Sequence, residues 1–248
     1  VWHYRGISAE AQKSYDKTIA SYEKAVEFYS ESNPAQASQL VLSIGNIYAS
    51  RMSQFIKALE FYDRAAKEFK SRGDNANYVQ ALTDKSASLM QIGELQQAIA
   101  ILDKTVIPAL DVQKQRAQWI RATQRLANCY FRAGLYQESR DLNEKILEEV
   151  EEIEQDAQRV ALASDAISLR GMILAKTGKF KEAFAEFQSG IKEAAEYRLE
   201  GQLATLYNNY GFWAREAGQV DQSIDLFNLA LTIDDKAKSM RDIAYDQR

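Results

Sequence analysis

The sequence predicts an all-α fold built from six consecutive two-helix repeats and the opening of a seventh. Three observations carry that expectation. Only 2 prolines and 11 glycines interrupt the 248 residues, too few for a turn-rich β fold. Apolar residues recur at steps of three and four along stretches rich in Ala, Glu, Lys, Leu, Gln and Arg, as amphipathic helices require. Several residue types also return in phase about every 40 positions, the mark of a repeat architecture.

The repeats fall near 1–33, 34–73, 74–111, 112–154, 155–198 and 199–236, with 237–248 opening a further copy in one solenoid domain. The first copy contributes a helix over 8–31. The second has helices over 34–51 and 54–71, where Asn33 caps a start at Pro34, the first-turn position that tolerates proline. The third has helices over 75–92 and 94–109, the latter ended or kinked by Pro108. The fourth has 112–133 and 135–154, the fifth 157–177 and 179–196, the sixth 199–217 and 219–234. The chain opens at Val1 rather than methionine, which predicts a piece of a longer protein.

Gly93, Gly134, Gly178 and Gly218 each end a helical stretch, and a small residue follows at Ala98, Ser139, Ala183 and Ser223. Thr18 and Ala58 hold that place in the first two copies. A second column runs through Ala25, Ala65, Thr105, Ile146, Gly190 and Ala230. A third, three residues earlier, reads Tyr22, Tyr62, Leu102, Asn143, Phe187 and Phe227. The last column is uniformly small: Gly6, Gly45, Ser86, Ala127, Gly171 and Gly211. A glycine inside a helix costs about 1 kcal/mol against alanine, so close approach of two helices is the expected compensation. Asn143 and Ile146 make the fourth copy the least regular.

These residues carry a family resemblance. Trp2 with Gly6, and Gly45-Asn46-Ile47-Tyr48 followed by Ala58, Tyr62 and Ala65, resemble the tetratricopeptide repeat. The period is longer than that repeat's usual one and its terminal proline is absent. Long repeats of this kind resemble those of kinesin light chains, Pins-type adaptors, soluble NSF attachment proteins and bacterial peptide-sensing regulators. The resemblance implies a right-handed superhelix whose first helices line a concave groove. It places Asn46 and Gln80 in that groove from the second and third copies. The fourth gives Arg121, Gln124, Asn128, Phe131 and Arg132, to which the helical arc described below adds Arg125. Met172 comes from the fifth, and Asn208, Phe212 and Arg215 from the sixth. Gln39, Leu42, Asp165, Ser168, Ala175 and Lys176 are further lining positions on the same reasoning.

Between Val112 and Arg132 there are five cations, Lys114, Arg116, Arg121, Arg125 and Arg132, and no acid. At 100° per residue, Arg121, Arg125, Asn128 and Arg132 share an arc of roughly 60°. Like charges so placed repel by a few tenths of a kcal/mol per pair. Two readings offset this: an acidic peptide held by guanidinium forks, or acids of an adjacent copy. Asn46 and Asn128 could hold a ligand backbone or bond helix to helix. Phe131, Met172 and Phe212 could anchor a ligand or belong to the core. The six acids between Glu148 and Asp156 read as a solvated helix face or an acidic docking patch.

The expected function is a protein-interaction scaffold binding a partner peptide or helix, with a sensing segment of a larger regulator as the alternative. One histidine, His3, and one cysteine, Cys129, leave no metal cluster and no triad. No phosphate-binding loop or nucleophile-elbow motif occurs, so neither catalysis nor a cofactor is expected. A net charge of −4 supplies no general attraction for nucleic acid. No apolar run is long enough for membrane insertion, and a lone thiol suits a reducing, cytoplasmic setting. Apolar repeat ends make self-association an expectation too.

Overall fold

A computed structural model describes the backbone of residues 1–246 and the side chains of residues 1–236. Among the described residues it forms twelve α-helices and no strand. They group into two compact units, Val1–Leu110 and Asp111–Arg248. The first unit holds α1 (Trp2–Ala11), α2 (Tyr15–Ser32), α3 (Pro34–Ser50), α4 (Phe55–Ser71), α5 (Asn75–Gln91) and α6 (Leu95–Ile101). The second holds α7 (Arg116–Arg132), α8 (Tyr136–Glu151), α9 (Asp156–Lys176), α10 (Phe180–Glu196), α11 (Glu200–Glu216) and α12 (Val220–Asp246). Within each unit most helices pack on their sequence neighbours, and α3 also meets α5, while α9 meets both α7 and α11.

The tight turn inside each hairpin is built the same way six times. Lys13, Ser53, Gly93, Gly134, Gly178 and Gly218 all adopt a left-handed backbone, with φ between 54° and 85°. In five of the six the next amide turns back to a carbonyl five residues earlier, as in Glu94 N to Leu89 O at 2.9 Å and Lys179 N to Leu174 O at 2.9 Å, and after Ser53 the Gln54 amide reaches back six, to Tyr48 O at 2.8 Å. That bond closes the exposed end of the preceding helix. Lys13 and Ser53 occupy the column without being glycine. Lys13 therefore hid the first turn: the helix expected over 8–31 is in fact the end of α1 followed by nearly all of α2.

The small column packs on the aromatic one. A Cβ added to Gly45 would lie 2.8 Å from the Tyr62 ring, at Gly171 2.7 Å from Phe187, and at Gly211 3.1 Å from Phe227. One at Gly6 would run into Tyr22. Where the column-mate is not aromatic, at Leu102 and Asn143, the small residue is Ser86 or Ala127, each fully buried. Glycine thus stands where a ring must reach the helix axis, and a larger small residue where it need not. Burying such a ring contributes roughly 1.5–3 kcal/mol.

Asn33 caps α3 by accepting the Gln36 amide at 3.2 Å, with Pro34 at the first position. Pro108 has the effect expected of a missing N–H: after α6 the chain widens into a π-turn over Leu102–Val106, tightens to 3-10 over Ile107–Ala109, and leaves the helix at Leu110. The helix expected from residue 112 begins only at Arg116. The Asp111 carboxylate accepts the amides of Gln113 (3.0 Å) and Lys114 (3.2 Å), so this stretch is a side-chain-capped turn. The seventh copy expected from residue 237 has no turn before it. No glycine or proline follows Gly218, and α12 runs unbroken to Asp246; Gln247 and Arg248 lie outside the described residues.

The core of the second unit has two parts. One gathers Ile120, Ile146, Val150, Leu169 and Ile173, the other Phe187, Leu206, Tyr210, Trp213 and Leu226.

Candidate functional site

In the first unit, Asn46 is exposed on α3, and its Oδ1 accepts the Tyr62 hydroxyl at 2.8 Å. Gln80 is exposed on α5 and donates to both Asp84 oxygens at 3.0 Å. Leu42 is buried, so it lines no surface. Both polar side chains are therefore already bonded, one across its hairpin and one along its helix.

The other ten residues lie in the second unit, where α9 packs between α7 and α11. α7 forms because Arg116–Arg132 carries good helix formers and an apolar stripe at Ile120, Thr123, Leu126, Ala127 and Cys129, all buried. Its opposite side presents Arg121 and Arg132 to solvent, with Gln124, Arg125 and Asn128 half-buried between them. Asn128 donates to the Gln124 carbonyl at 2.8 Å. The Gln124 amide reaches the Asp165 carbonyl on α9 at 3.4 Å, while its own Oε1 is buried with no partner. A further stitch joins α11 to α9, from Asn209 Nδ2 to Ser168 Oγ at 2.8 Å. Asn208, the groove candidate given by repeat register, is exposed on the same helix. Ser168 and Ala175 are buried.

Phe131 and Met172 are half-buried and pack against both parts of the core. Phe212 is the most open apolar candidate, 42% exposed, with the Arg215 guanidinium 5.2 Å from its ring centre. Arg132, Lys176 and Arg215 stand in the last turns of α7, α9 and α11. There the helix carbonyls favour positive charge by about 0.3–1 kcal/mol each. The result is a row of cations at the same end of three helices.

The two readings of the α7 cations divide by residue. Arg116 is neutralised within its own hairpin, its Nε 2.9 Å from Glu149 and its terminal nitrogen 3.2 Å from the Glu152 carbonyl. Part of the acidic run serves the same purpose for Arg159, through Asp156 at 3.4 Å and Glu151 at 4.0 Å. Arg121 has an acid opposite it in Asp165. Asp165 is an exposed residue of α9, though neighbouring helices crowd around its carboxylate. The crowding pushes its pKa up to about 6, and Arg121 pulls it back only in part. Asp165 was visible in the sequence as a lining position, but its being near enough to feel the Arg121 charge depends on how far α9 is shifted along α7.

Burial pushes the Cys129 thiol up to about 11, against the pull of Arg132 and Arg125, so it is a packed and unreactive group. Among the described residues no group of three or more His, Cys, Asp or Glu could hold a metal ion. Nor is any helix among them long and apolar enough to cross a membrane.

The family model for soluble NSF attachment proteins matches residues 6–136, 131 of the 248 residues. The match runs from within α1 through α7 and ends on the first residue of α8. A search of curated proteins finds no sequence match. Among solved structures, the apo form of RapI superposes with a TM-score of 0.67 at 13% identity, covering 96% of this chain and 98% of that one. A Rap protein complexed with competence and sporulation factor gives 0.69 at 17% identity, covering 99% and 67%. The apo quorum sensor NprR from B. thuringiensis gives 0.61 at 14% identity, covering 94% and 75%. At such identities the likeness establishes the fold, that of a TPR-like helical solenoid.

Proposed function

The chain belongs to the soluble NSF attachment protein family, and from that premise we propose that it is a non-enzymatic protein-interaction scaffold. Its working surface is the side of the second unit where α7, α9 and α11 present polar and cationic residues. The partner is a peptide or helix with acidic side chains. It lies against Arg121 and Gln124, and across the row Arg132, Lys176 and Arg215. The observation that carries this reading is α7 itself, which bears Arg121, Arg125 and Arg132 and has no acid anywhere along it. Guanidinium forks suit carboxylates, and Phe212 adds an exposed apolar contact. The setting is cytoplasmic, in keeping with a single buried thiol.

The test is affinity capture with the whole chain as bait, comparing wild type with Arg121→Glu and Arg132→Glu. Each reversal lowers partner affinity about tenfold, ~1.4 kcal/mol, and leaves helical circular dichroism and melting unchanged. Capture that survives both reversals places the partner elsewhere.

A second reading, a peptide-sensing segment of a larger regulator, draws support from the likeness to the Rap and NprR structures. It predicts a change in radius of gyration by X-ray scattering when the captured segment is added.

A further inference from the structure

The hairpin of α7 and α8 departs from the repeat pattern at two positions. One turn before the small residue, the other copies carry Trp2, Val41, Leu82, Ile167 and Tyr207, all apolar; α7 carries Thr123. Against the small residue the other copies set Tyr22, Tyr62, Leu102, Phe187 and Phe227; α8 sets Asn143. Both polar replacements thus fall in one hairpin, one on each helix. Thr123 and Asn143 are each 1% exposed, and Thr123 Oγ1 and Asn143 Oδ1 are buried with no hydrogen-bond partner among the described residues.

The two side chains stand at nearly the same level of the hairpin. Ser139 Oγ donates to the Ala127 carbonyl at 2.8 Å, which fixes the register of α8 on α7. Thr123 is one turn before Ala127, and Asn143 one turn after Ser139. In antiparallel helices those two steps run the same way. Around the α7 axis Thr123 is turned only roughly 40° from Ala127. Volume points to the same place. Tyr or Phe against Gly, and Leu against Ser, have nearly equal summed volumes, as close packing of equivalent hairpins requires. Asn143 against Ala127 is smaller than that sum by more than the roughly 30 Å³ that one water takes up in the liquid.

We propose that the α7–α8 hairpin is an internal water-binding site, with one water held between Thr123 Oγ1 and Asn143 Oδ1 in the space that a ring or a leucine fills in the other hairpins. The chemistry of the two oxygens selects a small donor of hydrogens. Asn143 Oδ1 can only accept, while the Thr123 hydroxyl can both give and take. A water gives one hydrogen to Asn143 and completes its second bond at Thr123. Each bond spares a buried oxygen the cost of losing solvent unpaired; an apolar guest would leave both unsatisfied. The site lies on the side of α7 turned away from Arg121 and Arg132 and is independent of what those arginines bind.

The experiment counts the water directly, by magnetic relaxation dispersion of the water oxygen in solutions of the whole chain, a signal blind to hydroxyl exchange. Two double variants close the site. One is Thr123→Val with Asn143→Leu; the other is Ala127→Ser with Asn143→Leu, which copies the Ser86–Leu102 pair. Each, once its circular dichroism matches wild type, is expected to show one long-residence water fewer. An unchanged count in a folded variant overturns the proposal, and so does a wild type with no long-residence water. Urea unfolding gives an independent check. With a shared water, Thr123→Val and Asn143→Leu shift the midpoint less together than the sum of their separate shifts; strict additivity overturns the bridge.

Discussion

Replacing Gly171 by alanine sets two effects of opposite sign against each other. In an open helix interior the change stabilises by about 1 kcal/mol. Here the new methyl would sit 2.7, 2.8 and 3.1 Å from three ring atoms of Phe187, against the 3.5–4.0 Å of an ordinary carbon contact. The ring has nowhere to go. Phe187 is fully buried and stacked on Tyr210, whose hydroxyl accepts from Gln188 at 3.1 Å and Gln222 at 2.9 Å. Overpacking of this kind costs about 1–3 kcal/mol, and the near-ångström overlap places it toward the upper end. The net expectation is a loss of about 1–2 kcal/mol, read by urea unfolding followed by circular dichroism. Phe187→Leu alone also destabilises, by about 1–2 kcal/mol, but the double variant recreates the arrangement of Ser86 facing Leu102. Its loss is therefore smaller than the sum by about 1–2 kcal/mol, a coupling expected of residues in contact. Gly201→Ala, where an added Cβ meets nothing within 4 Å, is the control and gains about 0.5 kcal/mol. A Gly171→Ala chain more stable than wild type, or strict additivity in the cycle, would refute the steric account of the small column.

Ser53→Gly and Arg198→Gly relieve left-handed residues at φ 54° and 55°; each should stabilise by about 0.5–1 kcal/mol in the same unfolding assay. Asn33→Ala removes the side-chain cap of α3 and should cost about 1 kcal/mol. The Asp165 carboxyl, at about 6 in the folded chain against a usual 3.8, binds its proton more tightly folded than unfolded. Its contribution to stability is present below about pH 4 and lost as pH rises to about 6. Asp165→Asn should flatten that part of the stability–pH curve, and an unchanged slope would show that the group is well solvated. Cys129 should resist a thiol reagent at pH 8 until denaturant is added.

The repeat was legible because its signals are backbone demands. A turn needs a left-handed residue, and two close helices need a missing side chain, so glycine marks both. Where another residue meets the demand the signal vanishes, which is why Lys13 concealed the break between α1 and α2. Asp111 likewise delayed α7 through bonds to two amides that composition does not reveal. The candidate surface was only partly readable. Helical arithmetic put Arg121 and Arg132 on one side of α7, and both are exposed there. It could not foresee that Arg116 would be taken by Glu149, or that Asn209 rather than Asn208 would reach Ser168. Those pairings are set by how far one hairpin slides along the next, a quantity no single helix encodes.

The matching of glycine to ring and of alanine or serine to a slimmer neighbour has a consequence for recombination. Helices exchanged singly between copies would arrive without their mates: α7 laid on α10 would drive the Ala127 methyl into Phe187, and α9 laid on α8 would leave a hole at Asn143. Whole hairpins carry both halves of the fit and can be transplanted. Descent by duplication, and any designed chimera of this chain, should therefore cut at the turns between hairpins and spare the turns within them.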